Sequence, residues 1–208
     1  MCILSCDGNL VPCDAAKCLK GRWDHFLRKS MCGFPGFKRS FLLRSLGQNT
    51  KTVVRNYIRS QVDKSDLVDP LYRESMKKLC FHDEDGAVFK NSQRAVYDLF
   101  AHVILVTASR YRMFAPEAKA VLANLKQACR QIAADPYEIS MMPDHAHMLV
   151  RWPNDIGGTD FVERIKATSG SLMRRAAFWS GGGYIGTVGP YSLKKAMALN
   201  RGSGWVAG

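Results

Sequence analysis

The stretch Tyr137-Glu138-Ile139-Ser140-Met141-Met142, then Pro143-Asp144, then His145-Ala146-His147-Met148-Leu149-Val150-Arg151-Trp152, decides the fold. Two runs rich in apolar residues are split by a Pro-Asp pair, and this predicts a strand, a turn and an antiparallel second strand. Upstream, Pro116 opens a predicted helix over Glu117–Ala133, with Val121, Leu122, Leu125, Ala128 and Ile132 on one face. Before it, Val103-Ile104-Leu105-Val106-Thr107 is uncharged and β-branched, as a buried strand is. Downstream, Thr159 or Asp160 caps a predicted helix over Phe161–Phe178. Gly181-Gly182-Gly183 reads as a loop, Tyr184–Val188 as a strand and Ser192–Leu199 as a short helix. The order from residue 96 is β-α-β-β-α-β. That order predicts an α+β fold: a ferredoxin-like split βαβ, with an antiparallel sheet and helices on one face.

The part before residue 96 reads as an N-terminal extension over 1–95. Its first 48 residues read as irregular, with five of the seven Cys and a Gly-Phe-Pro-Gly turn at 33–36. Phe41–Leu46 reads as a short strand. Thr50 caps a helix over about 50–62, with Val53, Val54, Tyr57, Ile58 and Gln61 at helical spacing. Asp69-Pro70 breaks that pattern, a second helix is predicted over Leu71–Leu79, and His82–Gly86 reads as a turn. The core is predicted over 96–200, and the Gly-Ser-Gly-rich 201–208 as a loose tail.

The 208 residues carry 30 Lys+Arg against 18 Asp+Glu, a formal charge of +12. Residues 1–60 hold 11 basic and 3 acidic residues, or +8, while 61–94 are nearly balanced. Such an excess points to a polyanion, first of all nucleic acid. No apolar run approaches the ~18–20 residues that span a bilayer, so no membrane role is expected. No secretory signal is read at the start, and seven Cys is an odd count; both fit a reducing cytoplasm.

Three groups of residues carry chemistry. His145 and His147 alternate with Ala146 on a strand, so they project from one face about 6–7 Å apart along the chain. They suit a shared divalent metal or, equally, a hydrogen-bonded pair, and Asp144 beside them is either an acceptor that orients an imidazole or a turn residue. Tyr57 and Gln61 sit at i and i+4 on one helical face, flanked by Arg55 and Arg59. That Tyr is either functional or a half-buried aromatic anchor. The N-terminal Cys2, Cys6, Cys13, Cys18 and Cys32 have no standard zinc spacing, and structural zinc is not expected. Trp23, Phe26, Phe34 and Phe37, set among Lys and Arg, suit either base stacking or a small local core.

Met142-Pro143-Asp144-His145-Ala146-His147-Met148-Leu149-Val150 resembles the signature of the single-tyrosine HUH transposases of bacterial insertion sequences and of the related REP-associated tyrosine transposases. The residue between the two His is usually bulky and is Ala146 here. Ala101–Thr107 followed by Arg110-Tyr111-Arg112 resembles the family's first strand and its end. Ile165-Lys166 through Ser169, Ser171 and Arg174 resembles its second helix, and Phe178-Trp179-Ser180 to Gly186-Thr187-Val188-Gly189 its last strand. One part departs. Leu199 stands ten residues after Gly189, where the family carries its tyrosine. Ten residues after Gly47, in a similar strand-to-Gly run, stands Tyr57, and Gln61 follows at the family's +4 position. The tyrosine helix therefore resembles a unit relocated to the N-terminal side.

The resemblance implies a metal-dependent transposase or endonuclease that cleaves and rejoins single-stranded DNA through a 5′-phosphotyrosine. Tyr57 would be the nucleophile. His145, His147 and Gln61 would hold Mg²⁺ or Mn²⁺, with Asp144 supporting them. Arg55, Arg59, Arg110, Arg112, Lys166 and Arg174 are the candidate DNA contacts. The implied partners are single-stranded DNA with hairpin ends and a second copy of the chain. The implied place is a bacterial or archaeal cytoplasm, at the nucleoid. Two other classes fit the same residues: a domesticated hairpin nuclease that moves no element, and a single-stranded nucleic-acid-binding protein that does not cut.

Overall fold

The computed structural model describes residues 2–65, 67, 69–83, 89–92, 95–171, 173 and 177–202. In chain order these form α1 (Pro12–Ser30), β1 (Phe41–Arg44), α2 (Lys51–Arg59), α3 (Gln61–Lys64), α4 (Pro70–Lys77), β2 (Cys80–His82), β3 (Lys90–Asn91), β4 (Ala95–Asp98), β5 (Phe100–Thr107), α5 (Ala115–Gln131), β6 (Asp135–Met141), β7 (His145–Arg151), α6 (Gly158–Ser171), β8 (Trp179–Val188) and α7 (Leu193–Gly202).

The main sheet has the order β2-β6-β7-β5-β8, with every neighbouring pair antiparallel. Four of its strands, β5, β6, β7 and β8, with α5 and α6 make the expected split βαβ. Alternation along the strands gives the sheet two faces. Ala101, Val103 and Leu105 of β5, with Ala146, Met148 and Val150 of β7, share one core with Val121 and Leu125 of α5 and Phe161 and Ile165 of α6. The other face belongs to α2. Its Val54 and Ile58 form a second buried cluster with Phe100, Tyr137, Leu149 and Val188. The register of β6 against β7 shifts between Pro136 and Glu138. Such a bulge lets two successive side chains leave on one face, and both Tyr137 and Glu138 meet α2.

A smaller sheet of order β1-β4-β3 ties the extension to the core, with β1 parallel to β4. Just past β1, the Ser45 hydroxyl accepts from the Phe100 amide at 2.8 Å and donates to the Val188 carbonyl. Beyond it the chain crosses the exit of β8. Gly47 pairs in parallel with Ser192, and Thr50 with Gly189. A Cβ on Gly47 would lie 1.7 Å from the Thr187 carbonyl oxygen, and one on Gly189 2.2 Å from that of Ser45. Each glycine is required by the closeness of the other connection.

Several elements differ from the sequence reading. Residues 12–30, read as irregular, are helix α1, which has Pro12 in its first turn and Arg28 and Lys29 in its last. It buries no residue, so no packed core face marks it. Gly181–Gly183, read as a loop, lie inside β8, where Gly183 pairs with Leu105. The helix read to Phe178 ends at Ser171. His82, read as a turn, ends β2. Among the described residues no helix is long and apolar enough to cross a membrane.

Candidate active site

Helix α2 starts at Thr50, whose side chain accepts from the Val53 amide at 3.4 Å. Val54 and Ile58 face the sheet, while Tyr57 is 43% exposed at its edge. The Tyr57 ring stands edge-on to His147 at 5.5 Å between centroids and to His102 at 5.8 Å. His145 and His147 lie 5.0 Å apart by centroid on β7. Tyr57, His145 and His147, from elements some 90 residues apart, thus meet on the α2 face of the sheet.

His145 directs Nδ1 at Asp144, 2.6 Å from Oδ1. The other Asp144 oxygen lies 3.0 Å from Nε of Arg110. A ring that donates from Nδ1 keeps its Nε2 lone pair free to bind. His147 is 4% exposed, and burial, reinforced by the neighbouring His145 and His102, pushes its pKa down to about 3. Burial likewise lowers His102 to about 4. Both rings are therefore neutral at pH 7, the state in which imidazole ligates.

Gln61 heads α3, and its amide nitrogen donates to the Tyr57 carbonyl at 3.0 Å, which leaves its amide oxygen unspent. Arg55 and Arg59 do not line the Tyr57 side. Arg55 Nε lies 2.9 Å and Arg59 NH2 2.7 Å from Oε1 of Glu138, a carboxylate with 0% exposure. His82 Nδ1 contacts the other oxygen of Glu138. The two arginines thus fasten the tyrosine helix to β6, a role that needed a partner some 80 residues away to be seen. Lys166 is also committed inside the fold: it is buried, with Nζ 2.8 Å from Glu163 Oε1 and 2.9 Å from the Gly181 carbonyl. Arg110 and Arg112 are exposed beyond the end of β5. Arg174 lies outside the described residues.

Two residues escaped the sequence reading. His102 touches His147, with Nε2 3.2 Å from Nδ1 and the rings stacked at 17°. Tyr184 stands edge-on to His102 at 5.6 Å. The signal for His102 was its parity. With Ala101, Val103 and Leu105 in the core, the even-numbered residues of β5 face the other way, toward the His pair.

The donor set fits a divalent ion at an open position. It offers two imidazoles with their Nδ1 atoms already engaged. Among the described residues no group of three or more His, Cys, Asp and Glu forms a closed metal cage. The remaining positions would fall to water and substrate oxygens.

Residues 95–196 match the family model of the IS200-like transposases. This stretch, about half of the chain, is an IS200-like transposase domain, within the HUH single-tyrosine transposase family. Two solved structures are similar in fold. One is described as a transposase from Deinococcus radiodurans R1, at 20% identity and TM-score 0.44, covering 54% of this chain and 93% of that one. The other is a REP-associated tyrosine transposase bound to a REP hairpin, at 10% identity and TM-score 0.38, covering 56% of this chain and 67% of that one. No curated protein matches the chain in sequence.

Proposed function

We propose that the chain is a single-stranded DNA transposase or endonuclease whose nucleophile is Tyr57. One observation carries this reading: an exposed tyrosine, on a helix outside the family-matched stretch, lies against the His pair of that stretch. Its helix is held there by two buried apolar residues and by the Glu138 carboxylate.

The Tyr57 phenol oxygen attacks the phosphorus of a DNA phosphodiester in line. The Oη–P bond forms, the P–O3′ bond breaks, and the phenol proton is given up as the departing 3′ oxygen takes one. The DNA 5′ end stays on the protein as a phosphotyrosine, so the phosphodiester energy is kept and the strand can be rejoined without ATP. His145 and His147, with Gln61, would hold Mg²⁺ or Mn²⁺, which when bound draws electron density from the phosphoryl oxygen. Asp144 fixes the His145 ring, and Arg110 beside it adds positive charge at the mouth of the site. The basic flanks favour the approach of a single strand. Tyr57 and the His pair lie on one chain here, and in this reading Tyr57 acts in cis. A second copy would serve to hold a second DNA end.

The test is covalent capture of a hairpin-bearing single strand with Mn²⁺. Tyr57→Phe is expected to form no adduct, while Tyr184→Phe and Tyr191→Phe keep it. An adduct on the Tyr57→Phe protein would overturn the assignment. Mixing Tyr57→Phe with His147→Ala chains is expected to restore nothing, and restored cleavage would show that the helix serves the partner.

A further inference from the structure

We infer that His102 is a positioning residue for His147: its ring takes up the Nδ1 atom of His147 and so turns only Nε2 of that imidazole toward the reacting phosphate. The inference rests on the reading of His145 and His147 as the metal-ligating pair.

The two histidines are held in matching ways. His145 has its Nδ1 2.6 Å from an Asp144 carboxylate oxygen, and His147 has its Nδ1 3.2 Å from Nε2 of His102. With Nδ1–H donating in both rings, both Nε2 lone pairs are left to bind. Partners of this kind fix tautomer and orientation, and their loss typically weakens metal affinity about 10–100-fold. The two supports differ in charge, and the surroundings account for the difference. Asp144 sits beside exposed Arg110, which balances its charge. His102 is only 9% exposed, and its ring contacts among the described residues are to Tyr57, His147 and Tyr184. A carboxylate there would be a buried charge, and it would repel the phosphate as well. A neutral imidazole can accept the same hydrogen bond at neither cost.

His102 is itself held on three sides. It stacks on His147 at 5.4 Å, with Tyr57 edge-on at 5.8 Å and Tyr184 edge-on at 5.6 Å. Gly186, directly across the strand pair from His102, makes the last contact possible. A Cβ there would lie 2.3 Å from the Tyr184 hydroxyl. Tyr184 thus braces the ring that orients His147.

The experiment measures Mn²⁺ binding to the full chain by electron paramagnetic resonance of the free ion, for the wild-type protein, His102→Phe and His102→Gln. Phe keeps a flat ring and removes the nitrogen, while Gln places an amide oxygen near the position of Nε2. Mn²⁺ affinity is expected to fall about 10–100-fold in His102→Phe and to recover largely in His102→Gln. Equal affinity in the wild-type protein and His102→Phe would overturn the inference and leave the metal reading intact. Absence of Mn²⁺ binding by the wild-type protein would overturn both. A second measurement needs no variant: the long-range ¹⁵N–¹H correlations of the His147 ring in the Mg²⁺-loaded wild-type protein. A proton on Nδ1 is expected; a proton on Nε2 would overturn the inference even if His102→Phe did not fold.

Discussion

Two connections, Gly47 into α2 and Gly189 into α7, run side by side in parallel and are near-equals at the backbone. The first helical amide of α2, Lys51, donates to the Gly189 carbonyl at 2.8 Å, and the first of α7, Leu193, donates to the Gly47 carbonyl at 2.7 Å. Their side chains then part. Helix α2 sends Val54 and Ile58 into a buried cluster on the sheet and its arginines to Glu138. Helix α7 buries Ala196 alone among its described side chains and leaves Leu193 and Met197 exposed. The same crossover therefore serves two outcomes. Apolar spacing and one buried carboxylate decide which helix takes the His face.

The sharpest way to break this contrast is at the phenol. Tyr57→Phe should remove all covalent DNA adduct in the capture assay, whereas Tyr191→Phe, at the entrance to α7, should leave adduct yield within twofold. A comparable loss from both would erase the difference between the two connections.

The next largest effect is expected at the crossing itself. Gly47→Ala and Gly189→Ala each press a methyl into backbone that cannot rotate away, and each should cost about 3 kcal/mol, at the upper end for overpacking. Urea unfolding measures this. A midpoint unchanged in either variant would show that the two connections are not in close contact.

Glu138→Gln leaves Arg55 and Arg59 without their buried anion. Stability should drop by about 2 kcal/mol, less than for a fully buried pair because both guanidinium groups keep some solvent. Adduct formation should fall more steeply as α2 loosens, with Tyr57 still present. Full stability with full activity would mean that the apolar contacts alone hold the helix.

The smallest effect is in pH. His102 and His147 hold folded-state pKa values of about 4 and about 3, below the ~6.5 of an unfolded histidine. Between pH 6.5 and about 4 the unfolded chain binds protons that the folded chain refuses, so the metal-free protein loses stability as pH falls through that window. His102→Gln removes one of the two groups and should flatten the loss between those pH values. Parallel stability–pH curves for variant and wild type would contradict it.

Legibility in the sequence followed burial. The hairpin around Pro143-Asp144 and the strand Val103–Thr107 were readable because one or both faces are packed, which imposes alternation or unbroken apolarity. The helix that carries Tyr57 was readable through spacing, since α2 has a buried stripe. Helix α1 was not, because it buries nothing and leaves Trp23 and Phe26 exposed. That exposure removes the small-local-core alternative for these two aromatics. Gly181–Gly183 misled in the opposite sense. Glycines signal loops locally, yet β5 supplies a ladder for them, and Gly183 leaves room for Val162 of α6, 3.2 Å from where a Cβ would stand. The partner of Arg55 and Arg59 lay beyond any local pattern, because Glu138 reaches α2 only through the β6 bulge.

The order of the elements along the chain also sets an order in time. During synthesis the N-terminal side emerges first, so α2 and its tyrosine leave the ribosome before Phe100, Tyr137, Leu149 and Val188, the residues that Val54 and Ile58 pack against. Until β8 has been made, the helix has no completed face to settle on. A nascent or truncated chain that stops short of Val188 would carry Tyr57 but no finished face for its helix. On the proposed reading, placing Tyr57 early would delay its activity until β8 has been translated.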